Sequence, residues 1–221
     1  MLNAILRIWN KYGFVYLNGL LGTLRLSAVT VFFATILGTV LAVFKLSKSR
    51  TANVLVDAYV EVIRGTPVLL QIYFFWLLLP KAIGFELSDT QSIIIAMVVN
   101  ASAYVCEIIR AGIQAVDIGQ REAAFSLGLT PVHTFFRITL PQAVKNILPA
   151  LGNEFINMIK QTSLASVFFV QELTTAYRTV QSTTFLSIPS LMISGMIYLV
   201  VTFTLTRFLG LFERRLRSNA P

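Results

Sequence analysis

Five blocks of this chain are apolar over lengths that match a lipid bilayer: about residues 19–46, 54–80, 90–113, 143–159 and 190–212. Crossing a hydrocarbon layer takes roughly 20 helical residues. No water is present there to satisfy N–H and C=O groups, so each block must satisfy its own backbone as a helix. The second block is interrupted at Gly65-Thr66-Pro67, and the fourth runs on as a broken apolar region to Leu173. Charged residues are only 13 % of the chain, against about a quarter in a soluble domain. No repeat, linker or low-complexity segment divides it. The expected architecture is therefore all-α: a polytopic membrane protein of five transmembrane helices forming one domain over residues 1–221.

The net charge of +8 would suit nucleic acid, but a bilayer accounts for it, because basic residues collect on cytoplasmic connections. Nucleic acid is not expected as a partner. One set of connections holds Lys45, Lys48, Arg50, Arg110, Arg121, Arg137, Lys145, Arg207, Arg214, Arg215 and Arg217. The other holds Arg7, Lys11, Lys81, Lys160 and Arg178, with Glu86, Asp89 and Glu172 among them. This asymmetry places the N-terminus outside and residues 114–141 and the C-terminus in the cytoplasm. Arg7 and Lys11 interrupt the first apolar run, and no small-residue cleavage site follows, so no signal peptide is expected. Residues 1–16 instead read as an amphipathic interfacial helix anchored by Trp9, Tyr12 and Tyr16.

The single cysteine, Cys106, allows no intrachain disulfide and no thiolate metal site. The single histidine, His133, has no second ligand near it in sequence and reads as a surface side chain. No metal site is expected. Nor does a phosphate-binding G-x-x-x-x-G-K-[ST] loop or any G-x-S-x-G, H-E-x-x-H or C-x-x-C motif occur. This chain is therefore not expected to bind ATP through a phosphate loop, and an enzyme is not expected.

The polar stretch between the third and fourth blocks carries the most specific pattern. It reads Glu122-Ala123-Ala124, three residues, Gly128, nine residues, then Ile138-x-Leu140-Pro141. Residues 117–127 suit a short helix, with Ala123, Ala124 and Leu127 as good helix formers. Gly128 breaks it. Thr130 can cap a second helix with Pro131 in its first turn, and Pro141 is expected to end that helix and start the next span. Small side chains at Ala123 and Ala124 permit close approach of a partner, and Glu122 offers it a carboxylate.

This spacing resembles the coupling loop of ABC-importer permeases. Over nearly its whole length the chain resembles the transmembrane subunits of ABC importers for polar amino acids, which include the histidine, glutamine, glutamate/aspartate and cystine permeases. Residues 59–76 (YVEVIRGTPVLLQIYFFW), 103–116 (AYVCEIIRAGIQAV) and 151–167 (LGNEFINMIKQTSLASV) share in the likeness. One departure is Gln161, where relatives often carry an acid. The resemblance implies a type I importer permease in a prokaryotic inner membrane, pore-forming and without ATPase activity of its own. It implies a second permease, identical or homologous, two ATP-binding subunits and an extracytoplasmic solute-binding protein. Glu122, Ala123, Ala124, Gly128 and Pro141 would then couple to the ATPase.

Polar side chains within the spans are costly and tend to face a cavity or a partner. Asn100, Tyr104 and Glu107 lie at i, i+4 and i+7, as do Asn153, Asn157 and Lys160, with Glu154 beside them. By depth, Asn100, Asn153, Thr66 and Pro67 fall near mid-membrane, where transporters bind substrate beside broken helices. Thr66, Pro67, Asn100, Tyr104, Asn153 and Glu154 are therefore candidate path residues for a polar amino acid, interhelical hydrogen bonding being the alternative. Glu61 with Arg64, and Glu107 with Arg110, are i, i+3 pairs that suit either structural ion pairs or a gate. A self-sufficient ion-coupled carrier or channel would leave the Glu122–Pro141 pattern without a purpose, and an assembly subunit without a path would make substitutions of the mid-membrane polar residues silent for transport.

Overall fold

The computed structural model describes residues 1–218; the side chains of Arg217 and Ser218 lie outside what is described. Among the described residues there is no strand. In order, the helices are α1 (Leu2–Lys45), α2 (Arg50–Gly65), α3 (Val68–Ile83), α4 (Asp89–Gln114), α5 (Ile118–Ser126), α6 (Pro131–Thr134), α7 (Leu140–Gln161), α8 (Leu173–Thr184) and α9 (Ser187–Ser218). A π-helical segment, Phe135–Thr139, joins α6 to α7, and a 3-10 segment, Thr162–Phe168, follows α7.

Three helices are long and apolar enough to cross a membrane: Leu2–Lys45, Asp89–Gln114 and Ser187–Leu216. The pair Arg50–Gly65 and Val68–Ile83 makes a fourth if counted as one broken span. The expected break is present: Thr66 and Pro67 are extended, at φ −115°, ψ 145° and φ −62°, ψ 130°. Proline has no N–H to give the preceding turn, which ends α2 there. The remaining expected span corresponds to α7, which is 22 residues long. Lys145, Glu154, Lys160 and three asparagines dilute it, so it is not among the helices that hydropathy marks. Length and hydropathy thus support three to four spans rather than the five expected.

A second difference lies at the start. Residues 1–16 are not a separate helix; they are the first turns of α1, which runs unbroken for 44 residues, about 66 Å at ~1.5 Å per residue. Residues 2–45 hold no proline, and Gly13, Gly19, Gly22 and Gly38 are all taken up within the helix.

The chain divides into two compact units. The first holds Met1–Phe32, Pro67–Val98 and Phe155–Arg207. Ile8 and Tyr16 of α1 pack with Leu173, Ala176 and Val180 of α8 and Ile193 of α9. Tyr16 donates its hydroxyl to the Ser190 carbonyl at 3.2 Å, and the Leu173 N–H donates to Thr23 Oγ1 at 3.0 Å. Gly22 makes this approach possible: a Cβ there would lie 2.1 Å from the Gln171 carbonyl oxygen. Phe168 packs on Tyr73 and Trp76, with ring centroids 4.8 and 5.2 Å away.

The second unit holds Phe33–Thr66, Val99–Glu154 and the chain from Phe208 onward. Small residues again set the helix contacts, as expected where lipid gives helices no hydrophobic reason to associate. A Cβ on Gly38 of α1 would meet Val105 of α4 at 2.7 Å. Tyr59 of α2 bonds to the Val99 carbonyl at 2.8 Å and to Ser102 Oγ at 2.7 Å, so its hydroxyl is satisfied on α4.

Candidate functional site

The loop between α4 and α7 is built from local signals. Asp117 caps α5, accepting the Gly119 N–H at 2.7 Å. At the other end Gly128 takes φ +80°. The Gly128 N–H then reaches the Phe125 carbonyl at 2.9 Å, and the Leu129 N–H reaches the Ala124 carbonyl at 3.1 Å. This is the Schellman pattern, which needs a left-handed residue at Gly128 and closes the last carbonyls of the helix. Thr130 caps α6 by accepting the His133 N–H at 3.4 Å, with Pro131 following it. His133 Nδ1 lies 2.9 Å from Thr130 Oγ1, so the lone histidine is engaged by its own cap.

Two helices separated at Gly128 match the expected organisation; the role of Pro141 does not. Pro141 neither ends the second helix nor starts a new one, because the chain stays helical from Pro131 to Gln161. The π-helical turn at Phe135–Thr139 accommodates it: the Leu140 N–H bonds to the Phe135 carbonyl, one residue further back than in an α-helix. The wider turn precedes a ring that would otherwise crowd the previous turn.

The face this loop presents is apolar. Leu127 is 83 % exposed and Phe136 60 %, with Ile118, Phe125 and Val132 also exposed. Glu122 and Ala123 are exposed beside them, whereas Ala124 is buried and belongs to the packing of the loop itself. The phenylalanines Phe135 and Phe136 meet edge to face, centroids 5.2 Å apart.

The charged residues of the second unit converge on Glu107. Lys45 at the end of α1 lies 2.6 Å from Glu107 and 2.8 Å from Asp57 of α2. Arg110 reaches Glu107 at 2.9 Å and also bonds to Gln114. The expected Glu107–Arg110 pair is therefore present, as part of a larger network. The expected Glu61–Arg64 pair is absent: Arg64 turns toward α4, 3.8 Å from Glu107 and over the Tyr104 ring at 5.3 Å. A denser carboxylate environment and an aromatic face draw it there. Lys45 was legible only as a charge of the first connection, and Asp57 was not singled out, because the partners of this network lie about 60 residues away or across a turn.

The path candidates divide. Asn153 is exposed on α7, in one stripe with the exposed Asn157 and Lys160. Thr66 is exposed at the helix break, its hydroxyl donating to the Val62 carbonyl at 2.8 Å. Pro67 is exposed, and Tyr104 is partly covered by Arg64. Asn100 and Glu154 are buried within the chain and engaged there. Among the described residues no cluster of three or more His, Cys, Asp or Glu could hold a metal.

Beside the loop between α4 and α7 is a cavity of about 910 Å³. It is lined by Asp117 and Gln120 of the α5 turn, Arg137 of the π-helical segment, Gln142 and Lys145 of α7, and Glu213 of α9. Sequence reasoning did not single out these residues together, since they come from three separate stretches.

Residues 34–218 match the family described as binding-protein-dependent transport system inner membrane component. The chain is 37 % identical to the arginine transport system permease protein ArtQ of Bacillus subtilis (strain 168), over 92 % of this chain and 93 % of that protein. It is also 37 % identical to the L-cystine transport system permease protein TcyB of the same organism, over 90 % and 85 %. A solved structure described as an amino acid ABC transporter with histidines superposes with a TM-score of 0.89 at 41 % identity, covering 93 % of this chain and 95 % of that one. The MetNI methionine ABC transporter in an inward-facing form gives 0.76 at 15 % identity, over 92 % and 96 %, a likeness of fold.

Proposed function

The chain belongs to the binding-protein-dependent transport system inner membrane components, and on that premise we propose that it is the pore-forming subunit of an ATP-driven importer of polar amino acids. It is a multi-pass membrane protein, and the similar proteins with printed functions are permeases of amino-acid transport systems. The loop supports the ATP coupling. Its exposed apolar face, with Leu127 83 % exposed, is carried on two helices whose caps are all local. Such a face needs a partner, and an ATPase subunit is the partner this family uses.

In this reading α7 is the fifth span, the N-terminus lies outside, and the coupling loop and C-terminus lie in the cytoplasm. Two such permeases enclose the path, two ATPases engage their loops, and a solute-binding protein delivers substrate from outside. ATP binding draws the ATPases together, the loops follow, and the path opens outward; hydrolysis returns it inward. This chain supplies the lever and the wall, and ATP and Mg stay on the partner. The exposed amides Asn153 and Asn157 and the broken backbone at Thr66–Pro67 offer donors and acceptors to a zwitterion without a net charge in the bilayer. The network around Glu107 ties α1, α2 and α4 together at the end of the path nearest the loop.

The decisive experiment is Gly128→Asp. No atom of this chain lies within 4 Å of a Cβ at Gly128, so the internal cost is backbone strain of about 1–2 kcal/mol. The variant is expected to reach the membrane at normal levels but to lose transport and stimulated ATP hydrolysis. Full transport with normal stimulation would overturn the coupling assignment.

A further inference from the structure

The cavity beside the coupling loop has no part in the path or in ATPase docking as described. We propose that it binds a small zwitterion, a molecule carrying both an ammonium and an anionic group, and that occupancy adjusts the coupling loop. The inference rests on the cytoplasmic placement of that loop and on the importer reading above.

At about 910 Å³ the cavity lies within the range of small-molecule clefts, ~300–1,000 Å³. Its lining balances Arg137 and Lys145 against Asp117 and Glu213. Beside Arg137 a simple anion would also meet the Asp117 carboxylate, and beside Asp117 a simple cation would also meet the Arg137 guanidinium, each a like-charge contact that costs affinity. A zwitterion meets complementary charge at both ends.

Lys145 and Glu213 are already engaged within the chain, whereas three other lining side chains are available in the required sense. Arg137 has no hydrogen bond or ion pair among the described residues, and its planar fork suits a carboxylate or phosphate. Asp117 uses one oxygen to cap α5; the other has no partner among the described residues and can accept from an ammonium. Gln142 gives its amide N–H to the Ile138 carbonyl at 3.0 Å, which leaves its side-chain oxygen as an acceptor.

The placement gives binding a consequence. Asp117 caps the first helix of the coupling loop, and Arg137 lies in the π-helical turn that carries the second into α7. A ligand held by both ties the two ends of the loop together. It shifts the loop between arrangements only as far as it binds them unequally.

Two sources carry this chemistry: a free amino acid on the cytoplasmic side, and the headgroup of phosphatidylethanolamine. The test uses the whole complex, permeases with ATPases, in proteoliposomes with ATP and Mg in the lumen and the binding protein outside. Lumens are empty of amino acid or hold millimolar arginine, glutamine or glutamate. Membranes are phosphatidylcholine alone or with phosphatidylethanolamine added. Each ATPase rate is divided by that of the same variant with an empty lumen in phosphatidylcholine.

A lumenal amino acid is expected to change the rate, and Arg137→Gln to raise its half-effective concentration about tenfold, as loss of one charge-assisted bond would. Gln142→Leu, which leaves all charges in place, should weaken it less. A response to phosphatidylethanolamine alone, lost in Arg137→Gln, supports the proposal and identifies the ligand as lipid. No response to either, or a response that both variants leave unchanged, overturns it. A response confined to amino acid on the outside, yet lost in Arg137→Gln, would keep the cavity and overturn the orientation instead. Failure of all substrate-stimulated transport would break the importer reading, which the lumenal response does not measure.

Discussion

Two connections interrupt the long helices, and they are held in opposite ways. The loop from Asp117 to Thr139 is fixed by bonds that span two to five residues: Asp117 to Gly119, Leu129 to Ala124, His133 to Thr130. Its apolar side chains face outward. The connection from Thr162 to Leu186 is fixed from far away. Glu172 caps α8 through the Thr174 N–H at 2.7 Å and the Thr175 N–H, and it also accepts the Tyr198 hydroxyl at 3.0 Å. Thr23, 150 residues earlier, accepts the Leu173 N–H. The first keeps its shape alone and leaves its surface open, as a segment that engages another protein would. A segment meant to hold the fold spends its polar groups inside it.

The largest effect on stability should come from the second connection. In Gly22→Ala the new Cβ would lie 2.1 Å from a backbone oxygen, which no side-chain rotation relieves. Overpacking of this kind costs about 1–3 kcal/mol and more when backbone must move. Gly195→Ala is the control, since nothing lies within 4 Å of its Cβ. The thermal midpoint of the purified chain in detergent should fall clearly for the first and little for the second. Equal midpoints would mean that α1 does not depend on this approach.

The same contrast explains what the sequence made legible. The loop from Asp117 to Thr139 could be read because each determinant acts on its neighbours: Gly128 for a left-handed turn, Thr130 for a cap, Pro131 for a first turn. The other connection uses left-handed backbone too, but at Phe169 (φ 56°) and Phe185 (φ 57°), where no sequence rule expects it. By sequence, Thr162-Ser163 after Lys160 suits a helix stop and restart with Ser163 as the cap, but that restart is absent. The Ser163 hydroxyl donates back to the Lys160 carbonyl at 2.7 Å, and the chain tightens into a 3-10 turn instead. The true restart is capped by Glu172, an uncommon cap whose carboxylate also accepts the distant Tyr198 hydroxyl. In the same way Arg64 followed Glu107 and Tyr104 rather than its helical neighbour Glu61.

An intermediate effect is expected at Glu172 and should depend on pH. Burial pushes its carboxyl above the ordinary carboxylate range, although the Thr174 and Thr175 amides pull the other way. The folded chain therefore holds this proton more tightly than the unfolded chain. The stability it contributes is full below the unfolded pKa, about 4.3, and is lost as pH rises through the folded one. Glu172→Gln removes the titration. Thermal midpoints measured as pH rises from the ordinary glutamate range should decline for the natural chain and stay flatter for the variant. Parallel curves would show that Glu172 does not set the pH response of this connection.

The smallest effect on stability, with a large one on function, is expected at Leu127→Ser. Leu127 is 83 % exposed, and its backbone N–H bonds to the Ala123 carbonyl at 3.1 Å whatever its side chain. Surface substitutions of this kind usually change stability by less than about 0.5 kcal/mol. The thermal midpoint of the isolated chain should therefore not move. If the apolar face is covered by an ATPase, however, the leucine leaves water only in the complex. Burying such a side chain is worth about 1.5–3 kcal/mol, roughly ten- to hundredfold in affinity. Titrating the ATPase subunit against permease in nanodiscs measures this directly. Weakened association with an unchanged midpoint would place Leu127 on the open side of the contrast between the two connections. An unchanged affinity would show that the exposed face is not where the partner sits, and a falling midpoint would show that this loop, too, depends on packing within the chain.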